Sequence, residues 1–127
     1  LCHAVHSLLR YQPGATGIYT TAEEALAGGR GVCQDYAHIF IALARLAGWH
    51  ARYCMGLTVG EGATHAWAEI YYEGAWYGFD PTRDCRTDAS YLRFATGRDA
   101  GDCPVEQGTF YGLADQTQTV FMRVKEI

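Results

Sequence analysis

The stretch from Cys33 to Ala47 is apolar on nearly all sides and is framed by Gly31 and Gly48. Its apolar residues are not confined to one stripe, which is typical of a helix that is buried rather than lying on a surface. Glycine after the last periodic residue is a common helix stop. The sequence therefore predicts a central helix from about Cys33 to Ala47, against which the remaining elements pack.

The regions before and after this helix differ in character. Helical spacing dominates the first part of the chain, whereas alternating, aromatic-rich segments dominate the second, which predicts an α+β fold. The length of 127 residues fits one domain over residues 1–127. The predicted elements are the end of a helix within 1–11, a loop at 12–20, a short helix capped by Thr20 or Thr21, strands at about 50–58, 64–72 and 76–80, turns at 81–90, a strand at 91–96, an ordered loop or loose hairpin at 97–116 and a last strand at about 118–126.

Composition excludes several classes of function. The net charge is −4 and there is no basic stripe, which argues against nucleic acid as the main partner. No stretch is long and apolar enough to cross a bilayer, and no signal-peptide pattern opens the chain, so no membrane partner is expected. The odd number of five cysteines, without a CxxC pair, favours free thiols and a reducing compartment, and we expect the protein to be cytoplasmic.

Cys33 lies at the first turn of the predicted central helix. Unpaired backbone N–H groups and the positive end of the helix dipole favour a thiolate there, and cysteines in such positions can have a pKa well below the free value of about 8.5. The thiolate is the nucleophile in cysteine-dependent catalysis, and the N–H groups of the same turn can hold an oxyanion. Position alone equally allows a buried structural cysteine. Asp35 is more simply a first-turn carboxylate favoured by the dipole than a second acid.

A predicted hairpin supplies a base and a carboxylate. If the turn is centred on Glu73-Gly74, Tyr72 pairs with Ala75 and Asp80 lies opposite Trp67. Alternation then places His65 and Asp80 on one face as diagonal neighbours, about 7–8 Å apart at the backbone. Asp80 precedes a proline, which holds it extended at the strand end. Each residue has a simpler interpretation, as a strand histidine and a turn aspartate, but Cys33, His65 and Asp80 together predict a catalytic triad in which Asp80 orients His65.

Three separated blocks resemble the transglutaminase-like superfamily. They are Gly31-Val32-Cys33-Gln34-Asp35-Tyr36-Ala37-His38, Thr64-His65-Ala66-Trp67 and Gly78-Phe79-Asp80-Pro81-Thr82. The family's catalytic Cys, His and Asp fall on Cys33, His65 and Asp80. The segment from Tyr91 to Gly112, with Gly97-Arg98-Asp99 and Pro104, resembles the tail of the bacterial branch.

The resemblance implies a papain-like α+β fold, a transglutaminase core in which a central buried helix packs on an antiparallel sheet. It also implies that an N-terminal domain precedes the core in longer members, which would suit a chain cut from a longer protein. The family includes cross-linking enzymes, proteases, deamidases and peptide N-glycanases, and some members without the triad act as scaffolds. This chain keeps all three residues.

We therefore expect a thiol-dependent enzyme that hydrolyses amide bonds of a peptide or protein substrate through a Cys33 thioester. A protein-glutamine amine transferase and a non-catalytic binding module are the alternatives. Gln34 and Trp67 are candidates for a second oxyanion donor, although Trp67 is as readily explained by packing. No cofactor or metal is expected, because there is no calcium-loop pattern and because Cys33 and His65 lack further ligands at zinc-site spacing.

Overall fold

A computed structural model describes residues 1–17, 19–59 and 64–103. Within these ranges, helices and strands follow the predicted α+β order. The helices are α1 (Cys2–Leu8), α2 (Ala22–Gly28) and α3 (Cys33–Leu46), with a 3₁₀ turn at Ala100–Asp102. The strands are β1 (Arg10–Tyr11), β2 (Arg30–Gly31), β3 (His50–Thr58), β4 (His65–Tyr72), β5 (Ala75–Asp80), β6 (Cys85–Arg86) and β7 (Tyr91–Gly97). The strand predicted at 118–126, Pro104 and the part of the 97–116 segment beyond residue 103 lie outside the described residues.

Helix α3 is the central element that its apolar sequence predicts. It packs on β3 and β4, and its residues Ala37 and Ala44 are fully buried. Its last turn differs from the prediction, because Leu46 is 84% exposed. Most of the helix before Arg45 is buried or half-buried, whereas Arg45 and Leu46 are exposed, so the predicted burial does not extend to the end of the helix. Gly48 then adopts a left-handed φ of 90°, which ends the helix as expected.

Five strands form one antiparallel sheet in the order β6-β5-β4-β3-β7. The predicted hairpin pairing of Tyr72 with Ala75 is confirmed, and the register continues to Ala68 opposite Phe79. The turn between these strands holds Glu73 at φ 47° and Gly74 at φ 87°. Both residues are therefore left-handed, as a two-residue hairpin loop of this kind requires.

The two faces of β4 serve different purposes. Ala66 and Ala68 belong to the core beneath α3. Trp67 and Glu69 alternate with them and lie on the opposite face, whereas His65, the first residue of the strand, lies near Cys33 of α3. There, the Glu69 carboxylate accepts hydrogen bonds from Arg52 Nε at 2.7 Å and from Arg93 Nη1 at 3.0 and 3.1 Å.

Two features of the region before α3 are the cap of α2, which the sequence predicts, and a pair of short strands, which it does not. Thr21 caps α2 in a reciprocal capping box with Glu24, which confirms the second of the two predicted caps. Strands β1 and β2 form a parallel pair, with Arg10 opposite Arg30, although residues 1–11 are predicted as the end of a helix and Gly31 as the residue that opens the central helix. Two-residue strands carry too few positions for alternation to be visible.

None of the helices in the described ranges is long and apolar enough to span a membrane.

Candidate active site

The start of α3 is fixed by the Asp35 side chain. Its Oδ2 accepts a hydrogen bond from the Val32 N–H at 2.9 Å and another from the Thr16 hydroxyl. Asp35 thus fills the first-turn position predicted for it. A Cβ atom on Gly31 would lie 2.7 Å from the Asp35 Cβ, so only glycine fits beside this cap. The partly buried Cys33 is held at the first helical position, where helix geometry leaves its N–H without an intrahelical acceptor.

His65 and Asp80 are brought together from neighbouring strands. His65 Nε2 donates a hydrogen bond to Asp80 Oδ2 at 2.7 Å, and the two side chains are 10% and 0% exposed. Cys33 lies near enough to the imidazole for its side chain to contribute to the raised pKa of His65. Because Asp80 occupies Nε2, Nδ1 is the ring nitrogen left for the sulfur. The three residues, called the candidate triad below, form one chain of contacts that begins at the start of α3.

The Asp80 carboxylate is saturated with donors. Oδ1 accepts the backbone N–H groups of Thr82 at 3.1 Å and Arg83 at 3.3 Å, and Oδ2 accepts the hydroxyl of Tyr91 at 2.6 Å in addition to His65. Burial alone would raise the pKa of Asp80, but the hydrogen bonds from His65 and Tyr91 and the charge of Arg83 lower it. The carboxylate is therefore ionised at neutral pH although it is fully buried.

The imidazole of His65 has the opposite shift. Burial disfavours its charged form, but the hydrogen bond to Asp80, the nearby Cys33 side chain and the charges of the same two residues raise the pKa of His65 to about 9. His65 therefore carries a proton at neutral pH. A charged imidazole between a sulfur and a carboxylate can hold a thiolate and can donate a proton to a leaving group.

The two candidates for a second oxyanion donor have different surroundings. Trp67 is 2% exposed and lies between other rings, with centroids 6.2 Å from His65 and 5.1 Å from Tyr91. These contacts agree with the packing interpretation of Trp67. The Gln34 side-chain nitrogen donates to the carbonyl of Gly17 at 3.2 Å, and this bond ties the loop before α2 to the start of α3.

Two contributors were not found by sequence reasoning. Tyr91 contacts Asp80 although their strands, β7 and β5, are separated in the sheet by β3 and β4. His6 in α1 contacts the residue after Asp80, with its Nδ1 3.1 Å from the carbonyl oxygen of Pro81. Tyr91 stands at the start of a predicted strand, but nothing in its neighbourhood in the sequence indicates a contact with Asp80. His38, in contrast, accepts a hydrogen bond from the Ala100 N–H at 3.0 Å, and burial lowers its pKa, as suits a structural histidine.

Two further features of the described residues bear on the site. No group of three or more His, Cys, Asp or Glu side chains within them is arranged to hold a metal ion. A groove of about 860 Å³ opens beside α1 and is lined in part by Phe40, Ile70 and Phe79. None of the candidate triad residues lines it, so it is separate from the site.

Comparison with known proteins defines the class. Residues 1–81 match the transglutaminase-like superfamily. The chain therefore belongs to this superfamily, as its three sequence blocks suggest. An uncharacterized protein of Mycobacterium leprae is 36% identical over 116 residues, and one of Mycobacterium bovis is 34% identical over 127 residues. The chain spans only 41% and 40% of the lengths of these two relatives.

Solved structures agree with the family. A protein of Cytophaga hutchinsonii, described as a "putative cysteine protease", is 34% identical with a TM-score of 0.74, covering 82% of this chain and 36% of that one. LapG of Legionella pneumophila, at 16% identity and a TM-score of 0.63, covers 91% of this chain and 76% of its own, and shares the fold. The expected papain-like transglutaminase-core fold is thereby confirmed.

Proposed function

We propose that this domain is a thiol-dependent enzyme that hydrolyses amide bonds of a peptide or protein substrate. The observation that carries the proposal is the 2.7 Å hydrogen bond between buried Asp80 and His65, together with the proximity of His65 to Cys33 at the first turn of α3. A structural cysteine needs neither a charged imidazole nor a buried carboxylate behind it. The Cytophaga relative described as a "putative cysteine protease" supports the same class.

The reaction proceeds through a thioester. The Cys33 thiolate attacks the amide carbonyl carbon, and the negative charge that develops on the carbonyl oxygen is stabilised by the Cys33 backbone N–H, with Gln34 or Trp67 as candidates for the second donor. As the C–N bond breaks, protonated His65 gives its proton to the departing amine. Neutral His65 then takes a proton from water, which attacks the thioester and releases the carboxylic acid and the Cys33 thiolate. Asp80 keeps the imidazole oriented and stabilises its positive charge.

The same intermediate would react with an amine instead of water. A protein-glutamine amine transferase therefore remains the competing proposal, and the two differ in the acceptor alone. A non-catalytic binding module on this fold would leave the Cys33 thiol without special reactivity. We also propose a cytoplasmic location, which is supported by the five cysteines all being free thiols.

Two experiments test the proposal. Iodoacetamide labelling at pH 6, mapped by peptide mass spectrometry, should modify Cys33 much faster than Cys85, an exposed cysteine of the same chain that serves as the internal reference. His65→Gln should remove this difference. Labelling of Cys33 at the rate of free cysteine would contradict an activated thiol and favour the binding module.

The second experiment identifies the acceptor. A set of glutamine-containing peptides is incubated with the protein and a labelled primary amine, and cleavage and label incorporation are followed by mass spectrometry. Hydrolysis should exceed incorporation and should disappear in Cys33→Ala. Incorporation faster than hydrolysis would overturn the hydrolase in favour of amine transfer.

A further inference from the structure

Resting on the proposed function, we propose that Tyr91 is a positioning residue of this site, which sets how strongly Asp80 holds the protonated His65. Its hydroxyl donates to Asp80 Oδ2 at 2.6 Å, and this is the same oxygen that accepts from His65 Nε2 at 2.7 Å. The two donors share one carboxylate oxygen. Tyr91 therefore acts on His65 through Asp80.

The fold places Tyr91 there by several independent contacts. It is the first residue of β7 and pairs with Thr58 of β3. The preceding turn is held by Asp88, whose Oδ1 accepts the Ser90 N–H at 2.8 Å. The Tyr91 ring stands edge-on to Trp67 with centroids 5.1 Å apart. The hydroxyl is therefore delivered to Asp80 by a rigid strand and a packed ring.

The direction of this hydrogen bond is set by its surroundings. Burial, the contact with Asp80 and the contact with Cys85 all raise the pKa of Tyr91, so the phenol keeps its proton and donates it to the carboxylate. The Cys85 thiol lies 3.6 Å from the same hydroxyl. Its sulfur does not displace Asp80 as the acceptor, because an ionised carboxylate is the stronger one.

Other charged or titratable groups also face this pair. Arg83 Nε lies 3.9 Å from Asp80 Oδ2, while Arg83 Nη2 donates to the Thr58 hydroxyl at 3.2 Å. Cys2 of α1 is close enough to Asp80 for the carboxylate to contribute to its raised pKa. Cys33 faces His65 from α3. Among the contacts given for the described residues, the short hydrogen bonds to Asp80 Oδ2 come from Tyr91 and His65.

The Tyr91 hydrogen bond weakens the attraction of Asp80 for the proton on His65. A donor on Oδ2 withdraws negative charge from the oxygen that faces the imidazolium. Without it, Asp80 would hold the proton on His65 more tightly, and His65 would release that proton to the leaving amine less readily. The carboxylate would also lose one of the contacts that fix its orientation.

The test is Tyr91→Phe, which keeps the ring against Trp67 and removes only the hydroxyl. In the full chain, NMR titration of the His65 imidazole should show its pKa raised by about 0.5. For whichever peptide the wild type turns over, kcat should fall about tenfold with KM unchanged. The matched control is Tyr72→Phe, a half-exposed tyrosine of β4 that packs on Trp49, and it should change neither quantity.

An unchanged His65 titration in folded Tyr91→Phe would overturn the inference, as would a loss of turnover no larger than in Tyr72→Phe. Should Tyr91→Phe not fold, 3-fluorotyrosine placed at position 91 gives the opposite test. Its more acidic phenol is a stronger donor, so the His65 pKa should move downward, and no movement would equally reject the inference. The titration needs no turnover, so absence of activity in the wild type counts against the proposed function and not against the role of Tyr91.

Discussion

His65 and Asp80 lie on adjacent antiparallel strands and are joined by a 2.7 Å hydrogen bond although both are buried. Asparagine is the replacement for Asp80 that best preserves the shape of the side chain while removing its charge. We expect Asp80→Asn to fold and to lower kcat by about 10⁴, the scale known for the same change in a serine triad. Peptide turnover together with circular dichroism measures both effects. Turnover within threefold of the wild type would remove Asp80 from the triad.

The pH dependence of turnover follows from the raised pKa of His65. The imidazolium donates the proton to the departing amine, and it is lost as pH rises through about 9. The kcat of amide hydrolysis should therefore decline above about pH 9 rather than near the ordinary histidine value of about 6.5. A pH–rate profile between pH 5 and 11 checks this. A basic limb near 6.5 would show that His65 is not held by Asp80 and Cys33 during turnover.

The same shift predicts how stability depends on pH. The pKa of His65 is higher in the folded state than the ordinary histidine value of about 6.5, so its contribution to the free energy of unfolding is fully present below about pH 6.5 and is lost as pH rises through about 9. The stability difference between wild type and His65→Gln should therefore shrink between these two pH values. Urea unfolding at pH 6, 7.5 and 9.5 measures it. A difference that grew with pH would contradict the assigned direction.

Gly31 should not tolerate even one added methyl group. A Cβ at this position would lie 2.7 Å from Asp35 Cβ and 2.8 Å from Asp35 Oδ2, so the cap of α3 would have to shift. We expect Gly31→Ala to lower the free energy of unfolding by about 1–3 kcal/mol and to slow Cys33 alkylation. Gly28→Ala is the matched control, because a Cβ there meets nothing within 4 Å, and it should cost nothing. Equal stability of the two variants in urea would refute the cap argument.

The Glu69 cluster should stabilise the sheet on the face away from α3. Glu69 is 9% exposed and joins Arg52 of β3 to Arg93 of β7. Glu69→Ala leaves both arginines without their carboxylate, and we expect a loss of about 1–3 kcal/mol of unfolding free energy. Arg93→Ala should cost less, because the Arg93 side chain is 47% exposed and Glu69 keeps Arg52. Urea unfolding of both variants measures the two losses of unfolding free energy. A larger loss in Arg93→Ala than in Glu69→Ala would contradict this prediction.

Local patterns in the sequence predict the elements around the site well. The apolar run after Gly31 indicates α3, and the Glu73-Gly74 turn sets the register that pairs Tyr72 with Ala75. Both are short-range signals, in which neighbouring residues determine periodicity and turn type. The contact between His65 and Asp80 follows because a hairpin converts position in the sequence into position on a face.

Features that depend on distant packing are not visible in the same way. Tyr91 meets Asp80 only because β7 pairs with β3, and no spacing within the chain indicates that order of strands. The exposure of Leu46 depends on which elements pack against the last turn of α3, and an apolar pattern does not contain that information. The β1–β2 pair joins short segments on either side of α2, so its strands carry no pattern of their own.

The two-residue turn at Glu73-Gly74 constrains how the sequence of this domain can diverge. Side chains alternate between faces along a strand, so moving one partner of the hairpin by a single position turns all its side chains to the other face. An insertion or deletion of one residue that shifted β5 relative to β4 would carry Asp80 away from His65, although neither residue had changed. Point substitutions at the turn are far less consequential, provided that they accept left-handed backbone. The length of this turn is thus constrained together with the candidate triad. An alignment gap at this hairpin in a relative would indicate that the relative has lost the contact between His65 and Asp80.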